Sequence, residues 1–199
     1  MSDANDLQSR LENGESRTLV VTPGTYVFDN EVDQSASGVT VVASAPGVVL
    51  RGRIRVGGTA SFHGVTLQGG GDSAVFEVDG TLVVTDSDVS GADNSCILMQ
   101  AASARVEIRR SKVHDCGTNA VSLRSDFVIE NSVFYDNGAL AGINLNNSFA
   151  VSLDSLPLAT SRFAHNTVAL GFLRSRSDGD ATHARHAGKP CGKTALTRH

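Results

Sequence analysis

Two stretches of this chain say nearly the same thing: "IRRSKVHDCGTNAVSL" (108–123) and "IENSVFYDNGALAGINL" (129–145), 21 residues apart. Each begins on an apolar residue and two polar ones, then Ser, one further residue and an apolar one. Two more residues ending in Asp follow, then a Gly-containing turn and a short apolar run. The pattern extends upstream. "ASFHGVTLQGG" (60–70), "LVVTDSDVSGA" (82–92), "VEIRRSKVHDC" (106–116) and "FVIENSVFYDN" (127–137) align on Gly64, Asp86, Arg110 and Asn131, spaced by 22, 24 and 21 residues. "GVTVVASAPGVVLRGRIRVGG" (38–58) reads as an earlier, less regular copy, and "PLATSRFAHN" (157–166) as a later one. A period in the twenties marks a stacked repeat, in which each unit needs its neighbours to bury its apolar face.

The stacked unit is built of strands. Leu82 and Val84, Val106 and Ile108, and Phe127 and Ile129 share one face, with the intervening residues on the other. That period of two is the mark of a strand with one face buried. A second short apolar run follows each turn: "CILM" (96–99), "AVSL" (120–123) and "GINL" (142–145). Two or three short strands per period make one rung of a parallel coil. Stacking predicts one inward column of Phe62, Val84, Ile108 and Ile129, and another of Leu67, Val89, Val113, Phe134 and Phe163.

Composition sets outer bounds. The chain has 199 residues, 40% hydrophobic and 19% charged, which suits one folded repeat array and not a disordered chain. A net charge of −4 gives no general reason to expect a nucleic-acid partner. No apolar run is long enough for a membrane span, and the first residues lack the apolar core of a secretory signal. Localisation stays open on these grounds. Cys96, Cys116 and Cys191 are odd in number and irregular in spacing. Cys96 falls in a small-residue column with Ala120 and Gly142, and Cys116 in a different one, so both are expected to be reduced.

The opening "LVVTPGTYVF" (19–28), followed by the Ser-bearing repeats, resembles the right-handed parallel β-helix of the pectate-lyase-like superfamily. The resemblance covers about 18–173. It implies an all-β, single-stranded right-handed parallel β-helix (a solenoid) of about six rungs. In that group a proline-glycine-tyrosine turn commonly opens the first rungs after a short capping helix. Here 1–17 is expected to cap the coil, with Leu7 and Leu11 as the apolar contacts of a short helix. The superfamily holds lyases, hydrolases, epimerases, tailspikes and modules without known chemistry, so the fold does not fix a reaction.

From 174 to 199 the alternation stops, and the basic stretch reads as a disordered tail. Its "AGKPCGKT" (187–194) has neither a preceding strand nor room for a following helix, so it reads as a chance phosphate-loop match. His183, His186 and Cys191 lack a fourth ligand at a known spacing, and no metal site is expected there.

Chemistry, if present, lies in columns that cross rungs. Gly69, Gly91, Asp115, Asp136 and His165 are expected to align, as are Gln68, Ser90, His114 and Tyr135, with Cys116, Asn137 and Asn166 beside them. Asp115 and Asp136 on adjacent rungs, with His165, form the candidate catalytic set for a polysaccharide lyase or glycoside hydrolase. His114, Tyr135, Asn137, Asn166, Arg109 and Lys112 are the candidate substrate-binding residues. No cofactor is established by the sequence. Calcium is the one ion the carboxylate pair would suit. Turn formation competes with each of these roles, because Asp and Asn satisfy local backbone groups at corners. Asp88 with Lys112, and Arg109 with Glu130, are expected to pair between rungs, and His63 to be a surface residue.

The chain lacks the tryptophan-aspartate-histidine strand and arginine-proline loop of lyases, and the surroundings of a polygalacturonase aspartate pair. Its one sizeable insertion is "NNSFAVSLDSLPL" (146–158). The expectation is therefore a small β-helix module that binds carbohydrate or a protein partner along its sheet faces without catalysis. A lyase or hydrolase is the alternative, and self-association through an uncapped C-terminal rung is a third reading.

Overall fold

The computed structural model describes residues 3–13, 17–35, 37–71, 74–137, 151–153, 162–164, 167–168 and 173–174. The chain winds into a parallel β-solenoid with three sheets of seven strands each. The first sheet stacks Arg17–Val21, Ser37–Ala43, Thr59–His63, Thr81–Thr85, Arg105–Arg109, Phe127–Glu130 and Arg162–Ala164. The second stacks Gly24–Val27, Val48–Arg51, Thr66–Gln68, Asp88–Ser90, Lys112–His114, Val133–Tyr135 and Thr167–Val168. The third stacks Val32–Gln34, Ile54–Val56, Phe76–Val78, Ile97–Met99, Val121–Leu123, Val151–Leu153 and Leu173–Arg174. One strand from each sheet makes a tier. Five tiers are complete by Leu123, and strands of a sixth and seventh continue every sheet.

Alternation in sequence becomes inside and outside. Phe62, Val84, Ile108 and Ile129 stand one above another in register and are completely buried. Leu67, Val89, Val113 and Phe134 do the same in the second sheet. Phe62 and Phe76 meet across the interior at 5.1 Å between ring centroids. Burial of these apolar columns is the main favourable term, at about 25 cal/mol per Å2 removed from water.

Two details of the expected register differ. Phe163 lies opposite Ile129 in the first sheet, and Phe134 is followed by Val168. The pattern around Phe163 fits the first strand of a tier as well as the second, and the register places it in the first. The third sheet continues from Val121–Leu123 to Val151–Leu153, whereas "GINL" (142–145) had been expected to supply that strand. Val151–Leu153 lies within the stretch 146–158 that reads as an insertion, so that stretch itself supplies the third-sheet strand of the sixth tier. Residues 142–145, like His165, Asn166 and the tail from 175, lie outside the described residues.

The aligned anchors mark a corner. Gly64, Asp86, Arg110 and Asn131 all have φ between 48° and 69°, which turns the chain sharply from the first sheet to the second. Asp and Asn tolerate this left-handed region better than other non-glycine residues. Arg110 is the exception, and its guanidinium makes a bidentate pair with Asp86 one tier below, at 2.8 Å for each contact. That contact holds Asp86 below the usual carboxylate range.

The repeated serine follows immediately. The N–H groups of Val65, Ser87 and Ser111 donate to the Oγ atoms of Ser87, Ser111 and Ser132, each at 3.2 Å. Each hydroxyl donates in turn to the carbonyl two residues before it, at 2.8 to 2.9 Å. Backbone groups exposed by the corner are thus satisfied inside a buried column, where an unpaired donor would be costly.

The N-terminal end is covered as the sequence implies. A helix, Ala4–Glu12, starts at Asp3, whose Oδ1 accepts from the Asn5 N–H at 3.0 Å. Leu7 and Leu11 are buried, and the helix packs against Val32–Gln34. The Pro23-Gly24 turn leads into Tyr26, whose buried ring sends its hydroxyl back to the Thr22 carbonyl at 2.9 Å.

On the outer face of the first sheet, Glu107 sits between Arg105 and Arg109, and Arg109 also reaches Glu130. Burial pushes Glu107 upward, but hydrogen bonds from the two arginines outweigh it and leave the group lowered. The expected Arg109–Glu130 pair is therefore present, as part of a network.

Truncating Ile108 to Ala should cost about 2–5 kcal/mol through lost burial and an unfilled void. Ser111→Ala should cost about 1–3 kcal/mol, because the Ser87 N–H loses its acceptor inside the wall. Urea unfolding midpoints check both values.

Candidate functional site

The most structured polar cluster lies where the second sheet turns toward the third, on tiers four to six. It is set by a second corner column. Gly91, Asp115 and Asp136 have φ of 74°, 51° and 52°. Below them Gly69 is fixed by space, since a Cβ there would lie 2.3 Å from the Gly91 carbonyl oxygen. Turn formation is thus a direct reason for Asp at 115 and 136, and it leaves both carboxylates at the surface.

Next to this corner, the outward residues of the second sheet stack as expected: Gln68, Ser90, His114 and Tyr135. The imidazole of His114 lies nearly parallel to the Tyr135 ring, with centroids 4.5 Å apart and planes 12° from parallel. His114 Nδ1 is 2.6 Å from Asp115 Oδ2, and Nε2 is 2.7 Å from Asp88 Oδ1. Both ring nitrogens are therefore held by carboxylates, and His114 is largely buried. Asp88 is registered opposite Lys112 as expected, but its carboxylate goes to His114. Lys112 is exposed to water.

Tyr135 has its hydroxyl pushed above the usual phenol range. Partial burial is the largest cause, and the charges of Asp88, Asp115 and Asp136 add to it. All three act because each destabilises the tyrosinate anion.

A shallow depression opens beside the stack. Gly91, Ala92 and Asp93 form one side, Asp115, Cys116 and Gly117 the other, and Asp136 stands at the end. Its two sides are the loops that follow the second strands of tiers four and five, and several hydrogen bonds join them. Gly91 donates to the Asp115 carbonyl at 3.2 Å, Gly117 to Ala92 at 2.7 Å, and Cys96 to Asn119 at 3.0 Å. Side chains add Thr118 to Asn94 at 2.9 Å, Ser95 to Thr118 at 3.0 Å and Asn119 to Ser95 at 3.2 Å.

Cys96 and Cys116 are bonded to each other as a disulfide, with Cα atoms 5.4 Å apart. This overturns the expectation of two reduced thiols. Their columns do differ along the strands. The corner after the second strand of tier five brings Cys116 against the residue that precedes the third-sheet strand of tier four, and both cysteines are buried there. Column alignment tracks neighbours along a sheet and is blind to convergence across a bend.

The candidate set therefore divides. Asp115 and Asp136 line one depression, and His114 and Tyr135 flank it. Asn137 is a structural clamp: its Oδ1 accepts from the Cys116 N–H and its Nδ2 donates to the Val113 carbonyl, each at 3.2 Å. Arg109 belongs to the ion network on the first sheet and faces away from this cluster. His165 and Asn166 lie outside the described residues. Asp88, expected only as a partner of Lys112, and Asp93, not singled out, join the site. For Asp88 the usable signal is its position two residues before Ser90, on the same outward face as the column that holds His114.

Among the described residues, no group of three or more His, Cys, Asp or Glu side chains is arranged to hold a metal ion. Nor is any helix among them long and apolar enough to cross a membrane. No protein-family model matches the chain, and no curated protein or solved structure matches it either.

The electrostatic environment of Tyr135 is directly measurable. Asp88→Asn should move the Tyr135 pKa down toward its ordinary value, as should Asp136→Asn. Ultraviolet titration of tyrosinate reads this, with Tyr135→Phe separating the signal from Tyr26.

Proposed function

We propose that this chain is a non-catalytic β-solenoid module that binds carbohydrate on the outer face of its second sheet. The ligand runs along Gln68, Ser90, His114 and Tyr135, with sugar hydroxyls donating to the carboxylates at the rim of the depression. The observation that carries this reading is the His114–Tyr135 stack held between Asp88 and Asp115. It presents a preorganised, partly apolar surface bordered by exposed acceptors, as small-ligand sites commonly do. Asp115 has 61% of its side chain exposed and is free on one oxygen to accept.

The same geometry speaks against acid–base chemistry by His114. A catalytic base needs a nitrogen within reach of its substrate, and both ring nitrogens here already face carboxylates. The lining carboxylates Asp93, Asp115 and Asp136 also repel uronates, so the favoured ligands are neutral or amine-bearing glycans. A second reading keeps the pair Asp115 and Asp136 as the acid and base of a glycoside hydrolase. It is favoured by one observation, that both line one depression. Kinship with the pectate-lyase-like superfamily, and the right-handed winding it implies, belong to this proposal. Three stacked parallel sheets and the Pro23-Gly24-Tyr26 opening support them.

Binding to immobilised neutral, amino and acidic polysaccharides tests the reading. Retention on a neutral or amino-sugar glycan is expected, with no release of reducing ends and no unsaturated product. Tyr135→Ala should weaken retention by about tenfold, equivalent to about 1.4 kcal/mol from one lost aromatic contact. Turnover that disappears in Asp136→Asn would replace the binding module with the hydrolase.

A further inference from the structure

We propose that the Cys96–Cys116 disulfide is a positioning device, which fixes the two loops of the depression against each other and so sets the Asp115 carboxylate on His114. The bridge joins the last residue before Ile97–Met99 in tier four to the residue directly after Asp115 in tier five. It thus ties one side of the depression to the other at the floor, where Cys116 itself is part of the lining. Both cysteines are at most 1% exposed. The His114 carbonyl oxygen is packed against Cys116 Sγ at 3.3 Å and lies 3.8 Å from Cys96 Sγ.

The placement is local. Corners at Asp86, Arg110 and Asn131 hold the same left-handed conformation with serine hydrogen bonds and no bridge. The disulfide therefore is not needed to make a corner of this kind. What distinguishes the Asp115 corner is that its side chain is held by a neighbouring imidazole, and that imidazole by a second carboxylate one tier below. A shift of the Asp115 backbone by a fraction of a hydrogen-bond length would break that chain of contacts. A covalent tie on the very next residue prevents the shift. Burial of both sulfurs makes the tie durable: a dithiol can reach them only after the corner opens. Reduction then passes two electrons and two protons to the bridge, leaving two thiols and a cyclic disulfide of the reductant.

The effect on ligand binding rests on the carbohydrate-binding reading above, whereas the effect on the corner does not. The test compares the full chain in oxidised form with the Cys96→Ala/Cys116→Ala double variant by amide hydrogen exchange. Exchange at Gly91, Gly117 and Thr118 is expected to quicken at least tenfold, while Phe62 and Val84 in the first sheet stay unchanged. Uniform acceleration across all tiers, or none at the corner, overturns the proposal. The Cys96→Ser/Cys116→Ser variant and the dithiothreitol-reduced wild type provide further comparisons. Failure of all three to fold would also overturn it, because the bridge would then hold the whole solenoid. On the polysaccharide retained by the oxidised protein, the double variant is expected to bind at least tenfold more weakly. If the oxidised protein retains none, the carbohydrate reading fails, and hydrogen exchange still decides on the positioning role.

Discussion

The features of this molecule depend on backbone hydrogen bonding between tiers in parallel register, which shifts at an irregularity between Ser37 and Val39 and otherwise runs residue for residue from Val39 on in the first sheet. In the first sheet Val84 lies over Phe62 and under Ile108, and the same one-to-one alignment holds for their neighbours. Parallel pairing at about 4.8 Å makes like positions into columns, so a single apolar position becomes a continuous wall of the interior. It also makes a turn residue into a corner line and an outward residue into a strip. Opposite charges on such strips can pair, as Arg109 does with Glu130 on the next tier.

This dependence explains what could be read from the letters. Strand faces, the recurrence of the anchors and of the serine beside them, and the His114–Tyr135 alignment are all consequences of register, and register is written in the spacing of Gly64, Asp86, Arg110 and Asn131. The capping role of Leu7 and Leu11 was legible from their separation of one helical turn. The misplacement of Phe163 and of the sixth third-sheet strand has the opposite cause. Where an insertion separates two strands, spacing no longer identifies the sheet, and a lone apolar residue fits more than one column.

The candidate site was legible as a neighbourhood and illegible as a set of contacts. Alignment brought Asp115, Asp136, His114 and Tyr135 together correctly. It could not show that Asp88 prefers an imidazole to Lys112, because that choice turns on side-chain length and direction. Nor could it show Cys96 meeting Cys116, because the two converge across a bend between sheets. Asp115 does two things at once: its backbone makes the corner, and its carboxylate holds the imidazole. A residue with both duties cannot be assigned to turn chemistry or to ligand chemistry alone.

The buried serine line carries one more implication. Ser87, Ser111 and Ser132 each accept from the tier below and donate to their own strand, so their hydroxyls form an oriented file along the axis. Dipoles arranged this way polarise one another. Peeling a tier from the end strips a neighbour of its acceptor, and the coil resists unravelling as a rope does, with each strand's grip set by the one already laid.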